Sequence, residues 1–255
     1  MSIKTPEEVM QLRELGRLHA QLIATLGERV RPGVTTDALE AYACELIEEA
    51  GVEPAFKGYR PFGAPRAYPC ALCVAPNDVV VHGIPTELSY TLKEGDIIGL
   101  DLGIKRDGLI IDAGRTFPVG TIDAEAARLL RVTEDALMKG IQAARAGNHV
   151  GDIGHAIEEY VRKEGFGLVR DLCGHGVGHA VHEEPQVPNF GAKGTGPVLE
   201  PGMVIAIEPM VNEGKGAVVF ERDGYTVTTK DGSRSAHFEH DIAITDGKPL
   251  ILTLP

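Results

Sequence analysis

The chain has no tryptophan, and aromatic residues make up only 5% of it. Four cysteines in 255 residues do not make a disulfide scaffold. Cys70 and Cys73 form a lone CxxC with no second pair, which argues against a structural zinc. No apolar run reaches the ~18 residues needed to span a membrane. The first eight residues lack the apolar segment of a signal peptide, so a reduced, cytoplasmic setting is expected. Positive charge is also scarce. Lys and Arg number 25 against 37 Asp and Glu, a net charge of −12. That balance argues against nucleic acid or an anionic membrane as the main partner. What remains is a chain 43% hydrophobic, enough for one large core or two closely packed halves.

Thr5-Pro6-Glu7-Glu8 reads as a helix start, with a cap, a Pro in the first turn and Glu at the third position. Val9, Leu12, Leu15, Leu22 and Leu26 follow at near-helical spacing, and Arg31-Pro32-Gly33 ends the pattern. Asp37 opens a second helix that Gly51 closes. From Val52 to Pro69, Gly, Pro and the aromatics Phe56, Tyr59, Phe62 and Tyr68 predict an irregular loop. Strand-like segments follow at 71–74, 79–81, 97–104 and 109–119. Helices are predicted over 123–146 and 152–163, then short strands to the end.

The order helix, helix, strands occurs twice, which suggests an internal duplication. Arg31-x-Gly33 matches Arg145-x-Gly147 before the second and fourth helices. Val81-His82-Gly83-Ile84-Pro85 matches Val181-His182-Glu183-Glu184-Pro185. Leu92-x-x-Gly95-x-Ile97-Ile98-x-Leu100-Asp101 matches Leu199-x-x-Gly202-x-Val204-Ile205-x-Ile207-Glu208. A single domain over 1–255 is expected, with pseudo-repeat halves of about 5–120 and 121–255.

The stretch Gly174 to Pro185 holds three of the nine histidines, His175, His179 and His182, in a glycine-rich setting. Such a cluster suits a metal or proton-transfer site, or a plain loop with surface histidines. It is not HExxH. The duplicated strands each end in an acid, Asp101 or Glu208, and a second acid follows in each half, Asp112 and Glu239. Four converging carboxylates could not all ionise without cations. With His175 they would form an oxygen-rich site for two divalent ions, suited to Mn, Fe, Co or Zn. Two ions about 3.5–4 Å apart can polarise one water between them, giving hydroxide near neutral pH and hydrolysis of an amide or ester. His82 and His182 would flank the ions and stabilise a tetrahedral intermediate.

At these residues the chain resembles the type I methionine aminopeptidases of the pita-bread metallopeptidase family. The likeness rests on NDVVVHGIP (77–85), 95–103 with Asp101, 111–117 with Asp112, GHGVGHAVHEEPQVPN (174–189), EPGMVIAIEPMV (200–211) and FEHDIAIT (238–245). HEEPQVPN and PGMVIAIEPM are long and specific, whereas GHGxGH is shared with proline-specific relatives. The resemblance implies an α+β pita-bread fold with pseudo-twofold symmetry and a curved, mainly antiparallel central sheet. It implies metal ligation by Asp101, Asp112, His175, Glu208 and Glu239, with Asp112 and Glu239 bridging. It also implies that Glu208 helps activate the water, His82 contacts substrate and His182 stabilises the carbonyl oxygen. The implied activity is removal of the initiator methionine from nascent chains when the next residue is small. Nascent N-termini are then the partners, and any ribosome docking must use the body of the enzyme. A monomer is expected, because the implied site is completed within one chain.

The chain departs from that family in places. Ile110-Ile111 precedes the second aspartate where His-Gly is frequent, and Asp101-Leu102-Gly103 resembles the proline-specific relatives. Tyr225 stands where the pocket often has Trp, and Val181 where an aromatic is common. Tyr68 and Cys73 fall at pocket positions, although Cys73 fits a plain core equally well. His179 is expected to support a ligand, His240 to face away from Glu239, and His237 to sit on either face. His19, His149 and His155 carry no expected role. The rival readings are an Xaa-Pro peptidase, a binding module that has lost its metals, and a metal-stabilised structural domain.

Overall fold

The computed structural model describes residues 2–61 and 63–255; Phe62 of the expected loop lies outside them. Helix α1 spans Pro6–Gly27. Its capping box is complete: Thr5 Oγ1 accepts from the Glu8 amide, and the Glu8 carboxylate accepts from the Thr5 amide. Helix α2 spans Thr36–Glu49. The Thr35 hydroxyl, not Asp37, caps it; Asp37 falls in the first turn, where its charge favours the helix N-terminus. Helix α3, Pro85–Leu88, is a single turn and too short for periodicity to reveal. Helix α4 spans Ala124–Ala143 with Asp123 as cap. Helix α5 spans Val150–Glu164, two residues longer at its start than expected. His149 is its N-cap, and Asp152 accepts the His149 amide at 2.7 Å.

The strand Ile97–Arg106 lies between Leu72–Pro76 and Leu109–Pro118, antiparallel to both, and also pairs with Glu53–Pro54. The second half builds a five-stranded antiparallel sheet in the order Leu250–Ile251, His240–Ala243, Val204–Ile207, Cys173–Gly176, Glu183–Pro188. Two smaller antiparallel sheets flank these. One joins Val79–Val81 to Val227–Thr229. The other joins Met210–Asn212 to Ser235–His237.

Helices α1 and α2 pack Leu12, Leu15, Leu26, Leu39 and Ile47 onto the first sheet through Leu100, Leu102 and Ile104. Helices α4 and α5 pack Leu129, Leu137, Ile153, Ile157 and Val161 around Ile205, Ile207 and Ile242 of the second. The helices thus take the apolar side of each sheet. Side chains alternate along a strand, so the intervening residues face inward. The two sheets are stitched together along one line. The Glu239 amide donates to Gly114 O at 2.9 Å, Arg115 bridges Phe238, and the Asp112 amide donates to Asp241 Oδ2 at 2.8 Å.

His19 belongs to this scaffold: buried in α1, its Nε2 lies 2.5 Å from Leu102 O. Leu102 itself is fully buried beneath the helices. Leu102→Ala should cost about 2–5 kcal/mol, through lost burial and the cavity left behind. Urea titration should show a lower midpoint with an unchanged slope.

Candidate metal centre

Register explains how the first two acids meet. Asp101 lies opposite Gly114, and Gly103 opposite Asp112, in the paired strands Ile97–Arg106 and Leu109–Pro118. Directly opposed residues share a face, as do residues two apart. Asp101 and Asp112 therefore lie diagonally on one face, opposite to Leu100 and Leu102. Glu208 follows the strand Val204–Ile207 directly, and its carbonyl accepts from Asn189 Nδ2 at 3.1 Å. Glu239 enters beside Gly114 through its own amide.

His175 sits in Cys173–Gly176, a strand with chain on both sides. A Cβ at Gly174 would fall 2.3 Å from Ala206 O, and one at Gly176 would fall 2.5 Å from Glu184 O. The glycines of GHG are therefore what lets this strand sit between its neighbours. His175 Nδ1 is 3.0 Å from Gly176 O, so it carries the proton and leaves the Nε2 lone pair free. That Nε2 is 3.5 Å from Glu208 Oε1.

The ligand atoms of Asp112, His175 and Glu239 lie within 4.8 Å of one another, and so do those of Asp101, His237 and Glu239. Glu239 is common to both groups. His237, whose face the sequence left open, lies on the inner side with Nε2 3.6 Å from Glu208 Oε2. Asp241 was not foreseen; it is fully buried and holds the Asp112 backbone from behind. Its neighbour His240 faces away, bonded to Thr253. His179 is corrected: it lies on the surface, its ring against Glu8 and its amide on Glu183. Sequence proximity to His175 placed it near the centre, but the chain turns outward there.

All ten expected site residues line one cavity of about 550 Å³. His82 adopts a left-handed backbone, φ 60°, which costs a non-glycine residue about 1–3 kcal/mol. His182 packs edge-on against His175, with ring centroids 4.4 Å apart. Its Nδ1 is 3.0 Å from the Tyr59 hydroxyl. Glu183, paired to buried Lys4 at 2.7 Å, fixes the loop that carries it. Tyr68 is buried, donates to the Gly83 and Leu72 carbonyls and meets Tyr225 edge-on at 5.1 Å. The Tyr225 hydroxyl donates to Arg66 O. Cys73 lies opposite Asp101, and burial pushes its thiol up, with Asp101 adding to the effect. It is thus a neutral wall and not a thiolate nucleophile. Phe56, Tyr59, Met210 and Gln186 complete the wall. The sequence showed Phe56 and Tyr59 only as loop aromatics, and nothing singled out Met210 or Gln186.

Burial raises all four carboxyls. Asp101 is pushed up to about 6, with Glu208 adding and His237 opposing, and burial takes Glu208 to about 8. Asp112 and Glu239 rise well above the carboxylate range, through burial first and then the neighbouring acids. Burial lowers the imidazoles, His82 to about 4 and His175 to about 3, each pushed further by His182. The histidines are therefore neutral, as ligands must be. Asp101 Oδ1, Asp112 Oδ1, Asp241 Oδ1 and His237 Nε2 are buried without a hydrogen-bond partner. Mutually repelling acids with orphaned oxygens beside neutral imidazoles are the donor set that divalent cations fit.

Comparisons with known proteins agree with this chemistry. Residues 10–246 match the model for metallopeptidase family M24. A methionine aminopeptidase of Clostridium perfringens is 46% identical over 99% of this chain and 98% of its own. The crystal structure of methionine aminopeptidase from Thermotoga maritima superposes with a TM-score of 0.94, at 43% identity and full coverage of both chains. A prolidase from Pyrococcus furiosus shares the fold at TM-score 0.78, but at 22% identity, and 65% of that longer chain is covered. Among the described residues no helix is long and apolar enough to cross a membrane. The α+β pita-bread fold, the buried carboxylate and histidine cluster and the full-length likeness together make this chain a member of metallopeptidase family M24, on its methionine aminopeptidase branch.

Proposed function

We propose that the protein removes the initiator methionine from nascent polypeptides whose second residue is small, acting as a cytoplasmic monomer. The observation that carries this reading is the single cavity holding four acids, three histidines and an apolar wall. Asp101, Asp112, His175, Glu208 and Glu239 would hold two divalent ions (Fe, Mn, Co or Zn), with Asp112 and Glu239 between them. Those ions, when bound, supply Lewis-acid activation of the attacking water.

The remaining work falls to the protein's own groups. Glu208, buried and avid for a proton, accepts the proton of the water and passes it to the leaving amine. Tyr59 donates to His182 Nδ1, which places the proton on Nε2 and lets the imidazole donate to the scissile carbonyl oxygen. His82, held in its strained backbone, reaches the substrate peptide. Cys73, Tyr68 and Tyr225 receive the methionine side chain, whose thioether packs well against aromatic edges. Tyr225 in place of a larger indole leaves a wider slot. The acidic surface keeps nucleic acid away, so any work at the ribosome uses contacts other than a basic patch.

The direct test uses Met-Ala-Ser and an Ala-Pro dipeptide, each with and without chelator. Chelator-sensitive release of Met alone is expected; cleavage of Ala-Pro alone would move the protein to the proline-specific branch. His182→Ala and His82→Ala should each lower kcat/KM about 10²–10³-fold with unchanged circular dichroism. Full activity in either variant would remove that residue from the reaction.

Stability should also depend on pH in a definite sense. Unfolded acids titrate near pH 4. Folded carboxyls raised above that contribute stability that is lost as pH rises through their folded values. The buried neutral histidines work in the opposite direction, but only below about pH 6.5. Above pH 7 the acids act alone, and Glu208 titrates near 8. Scanning calorimetry of chelated protein should show Tm falling from about pH 7 to 9, and saturating divalent ion should abolish the fall. A flat chelated profile would contradict the electrostatic picture.

A further inference from the structure

The ligand set proposed above has one imidazole, and His237 lies outside it. Its ring is 4% exposed, and its Nε2 has no hydrogen-bond partner. That nitrogen is 3.6 Å from Glu208 Oε2 and 3.9 Å from Glu239 Oε2. With Asp101 and Glu239 it forms a group whose ligand atoms all lie within 4.8 Å of one another. Ligand atoms about 2.0–2.2 Å from a common ion are at most about 4.4 Å apart, so the 3.9 Å separation needs no rearrangement.

The ring is also held there. The His237 amide donates to Thr116 Oγ1 at 2.9 Å, and the Thr116 hydroxyl donates back to His237 O at 2.8 Å. Across from it, position 114 is glycine; a Cβ there would fall 3.0 Å from the His237 ring. The absent side chain makes the space that the imidazole fills.

We propose that His237 is a further metal ligand, on the Asp101 side of the centre. Each ion then has one imidazole: His175 with Asp112 and Glu239, and His237 with Asp101 and Glu239. The pseudo-twofold arrangement of acids thereby extends to nitrogen. A second nitrogen moves the Asp101-side ion toward borderline metals such as Zn, Co or Fe, and away from purely oxygen-ligated ones. The inference rests on the two-ion reading, and the experiment separates the two.

The experiment is X-ray absorption at the zinc edge on full-length protein loaded with zinc, with metal content measured in parallel. The multiple-scattering signature of imidazole should correspond to about one ring per ion. His237→Gln should halve it, as should His175→Gln. Binding of the second zinc to His237→Gln, followed by calorimetry, should weaken by at least about 10-fold. Gly114→Ala, which crowds the ring without removing it, should weaken the same event. Two zincs per chain with about half a ring per ion, unchanged by His237→Gln, would overturn the His237 assignment and leave the metal centre standing. Failure of wild-type protein to bind zinc, manganese or cobalt would overturn the two-ion reading, and this inference with it.

Discussion

The constraint on which everything else depends is the burial of four carboxyl groups around a space too small to keep their charges apart. Asp101, Asp112, Glu208 and Glu239 come from two sheets, and desolvation and mutual repulsion raise every one of them. A fifth acid, Asp241, lies directly behind. Such a cluster is costly unless its charge is neutralised. The same groups that weigh against the metal-free fold are those that bind cations once deprotonated. Function and instability are thus two consequences of one arrangement.

The architecture makes that arrangement attainable. Each half covers the outer side of its sheet with a helix pair, which fixes the apolar residues of the central strands outward. Alternation then turns the acids inward. Glycine works at close quarters: Gly174 and Gly176 admit the His175 strand between two others. The hydrogen bonds joining residues 112–116 to 237–241 bring the two sheets' acids together. The Tyr59 contact with His182 and the Gly176 carbonyl on His175 settle which nitrogen of each ring can act.

Much of this was legible in the chain. The Thr5–Glu8 box, the strand at 97–104 and the duplicated acids carry strong local signals, and the structure places all ten expected site residues in one cavity. What escaped has physical reasons. A one-turn helix such as α3 has no period to read. Thr35 and Asp37 are both good caps, and only the local geometry chose Thr35. His179 is close to His175 in sequence, yet the loop turns it toward Glu8 on the surface. The side of the strand that His237 occupies followed from pairing with Met210, a contact that sequence spacing does not encode. Phe56 and Tyr59 line the cavity from an irregular loop, where no periodicity assigns a face.

The central claim is that these acids converge in order to hold two divalent ions. Anomalous diffraction from crystals grown with manganese or cobalt tests it most directly. Two peaks about 3.5–4 Å apart, with Glu239 between them, are the predicted result. No peak within the Asp101, Asp112, Glu208 and Glu239 cluster at saturating metal would contradict it.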